Sequence, residues 1–346
     1  MKKIISAVLA CALAAGLTAC TFKSPETVGS IGETSFTGGR YLMSQMSAVN
    51  DAMDLAESGA SVKDMLSAEL TLEDGTTQKG SDYVAQRTLE DLQYIAAVES
   101  RFAALGLALD EASIAGAKQQ ADQLWASYSD TYTANGIGQA TVQASVETAF
   151  RAGMVFDEMY GDTPDAECRA WLAENAAAGF GIQLPLINTQ TYAYADDEAE
   201  AAIKELAEKA RDALAGGQSA ADVADEFAAE AYSLLEMEYT AGQQGDGRLL
   251  FMPDSLESLG EENQKTLMAL KNGEAAVLNL GTSLLVFLRA DAEEVYDLET
   301  IKTGYGLLSE MKGEEFTEAM VAEGAALSNA LDSKAMAAYK AANTVV

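Results

Sequence analysis

Histidine is missing altogether from the 346 residues of this chain. Its absence removes serine triads, cysteine–histidine dyads and histidine-ligated zinc or haem in one step. Cysteine is almost missing. Of three, Cys11 and Cys20 lie near the amino terminus and only Cys168 falls in the body of the chain, so no disulfide framework exists. Basic side chains are scarce, 22 Lys and Arg against 54 Asp and Glu, and the formal charge is −32. Nucleic acid needs a basic footprint, and anionic lipid attracts basic surfaces, so this balance speaks against both as electrostatic partners. Internal repeats are also lacking. What remains is a chain about half apolar, long enough to bury the cores of two or three domains.

The amino terminus carries Lys2-Lys3, an apolar run from Ile4 to Ala15, then Leu17-Thr18-Ala19-Cys20. The run is short of the roughly 20 residues that cross a hydrocarbon core as a helix, and reads as an export signal. Leu-Thr-Ala-Cys resembles a lipobox, which implies cleavage before Cys20 and lipid on its thiol. Residues 1–19 are then the signal, residues 20–27 a polar tether, and the protein is extracytoplasmic and lipid-anchored to a membrane. Cys168 is left as a lone thiol beside Trp171, with no histidine to activate it, and reads as a small buried hydrophobe.

Residues 28–178 read as a mostly helical domain. Val28, Ile31 and Phe36 with intervening glycines suggest a hairpin or edge strand. Leu42, Met46, Val49, Met53 and Ala56 then form a helical stripe ended by Gly59. Between Gly59 and Gly80, Leu70-Thr71-Leu72 before Asp74-Gly75 fits either a hairpin or an irregular loop. Three helices follow: Leu89, Leu92, Ile95, Ala96, Phe102 and Leu105; then Asp110 capping Ile114 to Tyr132; then Val142, Val146, Phe150 and Met154. Pro164 starts a short helix through Cys168 and Leu172.

Residues 179–292 have a different texture. Phe180 to Asn188 is an apolar run without helical period and predicts a strand. Asp196 caps a helix with Ile203, Leu206, Ala210 and Leu214, which Gly216-Gly217 stops; Ser219 caps a second helix. The glycine-rich stretch Gly242 to Gly247 lacks the lysine and the strand-to-helix setting of a phosphate loop, so it reads as a turn leading to Leu249-Leu250-Phe251. A helix follows Pro253, and Ala276–Leu278 and Leu284–Leu288 close the segment as a hairpin about Gly281-Thr282. Residues 293–346 return to helix, from Tyr296 to Gly324, with a strand expected over Ala326 to Leu331 and a last helix from Ser333.

The order of elements, with Ala-Leu-Lys-Asn-Gly-Glu (269–274) before a finish ending in Leu-Leu-Val-Phe-Leu-Arg-Ala-Asp (284–291), resembles the parvulin-type prolyl isomerase domain. The flanks, VGSIGETSF at 28–36 and LETIKTGYGLLSEMKGEEF at 298–316, resemble the entry and exit of the SurA and PrsA extracytoplasmic foldases, as does LGLALDEASI at 105–114. The resemblance implies an α+β chain: a discontinuous helical chaperone-like domain, with residues 293–346 packing back on residues 28–178, and an inserted parvulin-like domain. It implies newly exported or unfolded polypeptides as partners, the membrane as a partner through lipid on Cys20, and neither cofactor nor metal nor nucleic acid.

The family pocket carries two histidines, one in the first strand and one in the last. Here those positions fall on Leu184 or Pro185 and on Leu284 or Leu285, and the family's phenylalanine falls near Asn263, with Phe251-Met252 close by. The usual apparatus for twisting a prolyl bond across a barrier of about 20 kcal/mol is therefore absent, and Leu184 is expected to pack on Leu284 or Leu285 in a continuous apolar core or a shallow apolar groove. Methionine-rich surfaces adapt to varied apolar partners, which makes Met43, Met46, Met53 and Met154 candidates for client contact beside their role in the core. The function this resemblance implies is a membrane-anchored foldase or holdase with a silent isomerase domain. An active prolyl isomerase and a structural or adaptor lipoprotein are the alternatives.

Overall fold

The computed structural model describes residues 26–72 and 74–346; the signal, Cys20 and most of the tether lie outside the described residues. The chain is α+β, and its described residues divide into two compact units, 26–159 with 315–346, and 160–314.

The first unit opens with the hairpin β1 (Thr27–Ile31) and β2 (Thr34–Thr37). Thr37 caps α1 (Gly38–Asp54) by accepting from the Arg40 amide. Ala48, Val49 and Ala52 of α1 are buried against Met65, Leu70 and Val84. The inward face of α1 also carries buried Ser44 and Gln45, so it is rotated from the expected stripe, of which Leu42, Met46 and Met53 are only half-buried. The ambiguous stretch after Gly59 resolves as α2 (Val62–Met65) and a hairpin of β3 (Glu69–Thr71) with β4 (Thr77–Lys79). Three long helices follow, α3 (Gly80–Ala104), α4 (Glu111–Ala134) and α5 (Gln139–Tyr160). Asp110 caps α4, as its position before an apolar period predicts. Four members of the expected stripes face water, Leu89 and Leu105 on α3 and its end, and Ile114 and Tyr128 on α4, the last two at 50% and 55% exposure; Ala117, Ala121 and Tyr132 carry the contact with Val142 and Val146.

The second unit is built on one antiparallel sheet of order β6-β5-β8-β7. Its strands are β5 (Ala177–Pro185), β6 (Arg248–Phe251), β7 (Ala275–Asn279) and β8 (Ser283–Arg289). Before the sheet comes α6 (Asp165–Asn175), with Cys168 fully buried. Between β5 and β6 lie α7 (Asp197–Ala215), capped by Asp196, and a helical run opened by the Ser219 cap. That run is α8 (Ala220–Val223), a π segment at Ala224–Ala228, and α9 (Ala229–Leu234). After β6, the single helix expected beyond Pro253 is two, α10 (Pro253–Glu257) and α11 (Glu261–Ala269), because Gly260 takes φ +82° and turns the chain between them.

After a short α12 (Ala292–Val295), the long helix expected from Tyr296 to Gly324 is also divided, into α13 (Leu298–Gly304) and α14 (Leu307–Ala326). Asp297 caps α13 and Gly306, at φ +65°, separates α13 from α14. Residues 326–331 form no strand, only a bridge from Asn329 to Ile31, flanked by hydrogen bonds from Ala330 and Asp332 to the β1 carbonyls. The last helix, α15, is one turn, Ser333–Met336. The boundaries of the compact units differ from the expected 178/179 and 292/293. Cys168 and Leu172 of α6 share one apolar cluster with Met252, Leu298, Ile301 and Leu307, which draws both flanking segments into the second unit.

Candidate functional site

The β5–β8 register decides what faces what. Ile182 pairs with Val286 and Leu184 with Leu284, while Gln183 pairs with Leu285 and Gly181 with Phe287. Because side chains alternate across a strand, Leu184 and Leu284 lie on one face and Leu285 on the other. On the first face Leu184 and Leu284, 0% and 3% exposed, pack with Ile182, Ile203, Leu206 and Val286 beneath α7, in a closed core. Pro185 is buried at the end of β5, opposite Ser283. Leu184 therefore packs with Leu284 and cannot share a pocket with Leu285, so the two registers left open by the sequence are physically different sites.

Leu285 belongs to the opposite face, with Leu256, Leu267, Leu278 and Phe287 under α10 and α11. Asn263 in α11 donates to the carbonyls of Leu259 and Asn279, each at 2.9 Å, and so ties its helix to the end of β7. Phe251 stacks obliquely on Phe287, ring centres 5.9 Å apart, while Met252 turns into the cluster around Cys168.

This second face is not fully covered. Over Gly181, Gln183, Leu249 and Leu285 there is a groove of about 310 Å³, bordered by Tyr232 and by Gln244 of the glycine-rich loop. Gly181 leaves the space: a Cβ there would lie 2.7 Å from Leu249 Cδ1 and 3.1 Å from Leu285 Cδ1. The loop is anchored on the π segment, where Asp225 accepts from the Tyr239 hydroxyl at 3.0 Å and from the Gly242 amide at 2.8 Å. Burial, together with donation to Asp225, pushes the Tyr239 phenol up to about 12. Gln243 donates to the Tyr232 hydroxyl at 3.1 Å, and Tyr232 meets Tyr239 edge to face. Neither the groove nor the Gln244 contact was among the residues expected from sequence. The one available signal was the glycine cluster, which sequence patterns read only as a turn.

In the first unit, Met43 and Met46 pack into the Ala117–Val146 cluster and Met53 into the Val49–Leu70 cluster. The Met43 sulfur accepts from Ser145 Oγ at 2.9 Å and the Met46 sulfur from Asn135 Nδ2 at 3.4 Å. Met154 is half-buried on α5. The four methionines thus do not form one exposed patch. Charged side chains lie near Met43 through Ser145. Arg151 pairs with Glu99 at 3.0 Å, and Arg40 reaches Ser145 Oγ at 2.7 Å, its guanidinium pKa lowered by burial despite nearby Asp91 and Glu99. Among the described residues no group of three or more acidic or cysteine side chains is placed to hold a metal ion, and no helix is long and apolar enough to cross a membrane.

No family model matches the chain, and no curated protein matches it. Among solved structures it is similar to the foldase protein PrsA from Streptococcus pneumoniae, with a TM-score of 0.37 and 14% identity over 74% of this chain and 92% of that one. It is also similar to PrsA from Bacillus subtilis, with a TM-score of 0.29 and 16% identity over 73% and 88%. Both of these solved neighbours are PrsA foldase proteins.

Proposed function

We propose that this protein is an extracytoplasmic foldase or holdase, tethered to a membrane through lipid on Cys20, that engages newly exported polypeptides and whose parvulin-like domain is silent towards proline. The observation that carries the reading is the groove over Leu249 and Leu285, which offers polypeptide the two things it can use: apolar side chains and backbone-like amides. Silence towards proline is supported by a sequence without histidine and by the leucine pair at 184 and 284, which needs no hydrogen-bond partner in its closed core. In addition to the groove, the helical unit contributes half-buried Met43, Met46, Met53 and Met154 as further apolar contacts for clients. The domain reading that accompanies this is a helical chaperone-like part, residues 28–178 with 293–346, carrying a parvulin-like insert at 179–292.

The test uses the soluble chain from residue 21 and an unfolded client diluted from denaturant. Light scattering should show aggregation delayed at stoichiometric chaperone; unchanged aggregation rejects the reading in favour of a structural or adaptor lipoprotein. In parallel, a proline tetrapeptide should isomerise at its uncatalysed rate, and acceleration would assign an active isomerase instead.

A further inference from the structure

Strand β5 has unequal sides. Its pairing with β8 runs the full length of β8, from Gly179↔Arg289 to Pro185↔Ser283. Its pairing with β6 ends at Phe180↔Arg248. Past that point the Gly181 amide still finds a backbone acceptor, the carbonyl of Gly247, at 2.8 Å. Then the neighbouring strand leaves, and residues 182–185 are a sheet edge on that side.

An open edge is a template for another strand, and here a side chain occupies it. The Gln183 amide donates to Gln244 Oε1 at 2.7 Å, and Gln244 Nε2 donates to the Gln183 carbonyl at 2.7 Å. A carboxamide presents the same C=O and N–H as a peptide unit, so Gln244 makes the two-point contact that a residue of an added antiparallel strand would make. The chain uses the same chemistry elsewhere, on the backbone of its last residues. Asn135 Nδ2 donates to the Val345 carbonyl at 2.8 Å, and the Val345 amide donates to Asn135 Oδ1 at 2.9 Å. In both places one carboxamide reads one residue of backbone.

The setting of Gln244 allows exchange. It lies between Gly242 and Gly245, at φ +78° and +63°, with no neighbouring atom within 4 Å of a Cβ position at either. Beneath it is the groove, with half-buried Leu249 and Tyr232 placed to meet side chains of an incoming strand and buried Leu285 as its floor. Pro185 has no N–H to donate, which limits the ladder to the few residues opposite 182–185.

We propose that the 182–185 edge of β5 is a strand-addition site for an extended polypeptide, held closed in the free protein by the Gln244 carboxamide acting as a stand-in for the peptide backbone. The incoming segment takes both hydrogen bonds of Gln183, and its side chains lie in the groove. This deepens the foldase reading and rests on it for the source of the strand: the occupant is a stretch of unfolded client, recognised through backbone and therefore with little regard for sequence.

The test uses the soluble chain from residue 21 and a fluorescein-labelled decapeptide that alternates lysine with valine and threonine, followed by fluorescence anisotropy. Gln244→Ala removes the competing contact from an exposed loop. The variant should keep the parent's circular dichroism and bind the peptide about tenfold more tightly, the effect expected when two hydrogen bonds of ordinary net strength no longer compete. The same peptide N-methylated at every second residue cannot form the ladder and should lose binding. Equal affinity of parent and variant, equal binding of the methylated peptide, or no binding by either protein overturns the proposal. The aggregation assay, run on the same samples, separates the two readings. A parent that delays aggregation while the peptide arms fail is a foldase that binds elsewhere; peptide binding without any delay leaves the edge site standing and removes the foldase.

Discussion

The two faces of the β5–β8 sheet carry side chains from the same strands and end in opposite states. The face of Ile182, Leu184, Leu284 and Val286 is closed under α7 and the 220–234 helical run. The face of Gly181, Gln183, Leu285 and Phe287 is covered by α10 and α11 only in part, and a groove remains at its β5 end. The difference comes from which residues a period of two places on each side. Isoleucine, leucine and valine fill one face, and two glycines and a glutamine interrupt the other. Filling makes a core, and interruption makes a site.

The most damaging way to break this asymmetry is to fill the interruption. A Cβ at Gly179 would sit 2.1 Å from the Leu288 carbonyl oxygen and 2.6 Å from Phe287 Cζ, and backbone cannot yield as a flexible side chain can. Gly179→Val should therefore cost at least about 3 kcal/mol and melt the second unit well before the first; two separate transitions in calorimetry check this.

Truncation sharpens the comparison with a smaller effect. Leu184→Ala on the closed face should destabilise by about 2–5 kcal/mol. Leu249→Ala, at a half-buried groove position, should cost less than about 1.5 kcal/mol because solvent can enter the space. Urea denaturation monitored at the second unit gives both numbers, and equal losses would mean that the groove is part of the core.

Much of this architecture was legible in the sequence, and the illegible parts have physical reasons. Caps announce themselves locally: Asp110, Asp196 and Ser219 each accept from an amide three residues on, and each was readable from its place before an apolar period. The β7–β8 hairpin was readable from its turn. The choice between Leu284 and Leu285 was not, because a one-residue slip exchanges faces and only the pairing partner decides the register. Strand β6 was missed as a strand because its four residues acquire an extended backbone by pairing with β5. The helices expected after Pro253 and Tyr296 ran on because helical period survives a glycine in the pattern, while φ +82° at Gly260 and +65° at Gly306 do not continue a helix. The Gln244 contact spans 61 residues of sequence, and nothing local marks it.

The smallest effect concerns the loop that borders the groove. A phenol whose value is raised on folding stays neutral in the native state while the unfolded chain already ionises. The unfolded state then binds fewer protons, and stability is lost as pH rises from about 10 towards about 12. Tyr239 should add a modest alkaline loss of this kind, which Tyr239→Phe removes. Urea midpoints between pH 9 and 11 should fall less steeply in the variant than in the parent; parallel curves would show that the Tyr239–Asp225 contact does not form in solution.

The central claim is that polypeptide engages the interrupted face and leaves the filled one alone. Hydrogen exchange measured on the soluble chain from residue 21, with and without a saturating unfolded client, reads the two faces amide by amide. The account predicts that client slows exchange at Gln183 and across the loop 242–247, while Ile203, Leu206 and Ala210 of α7, over the closed face, exchange as in the free protein. Unchanged exchange throughout residues 177–292, or protection confined to α7, would contradict it.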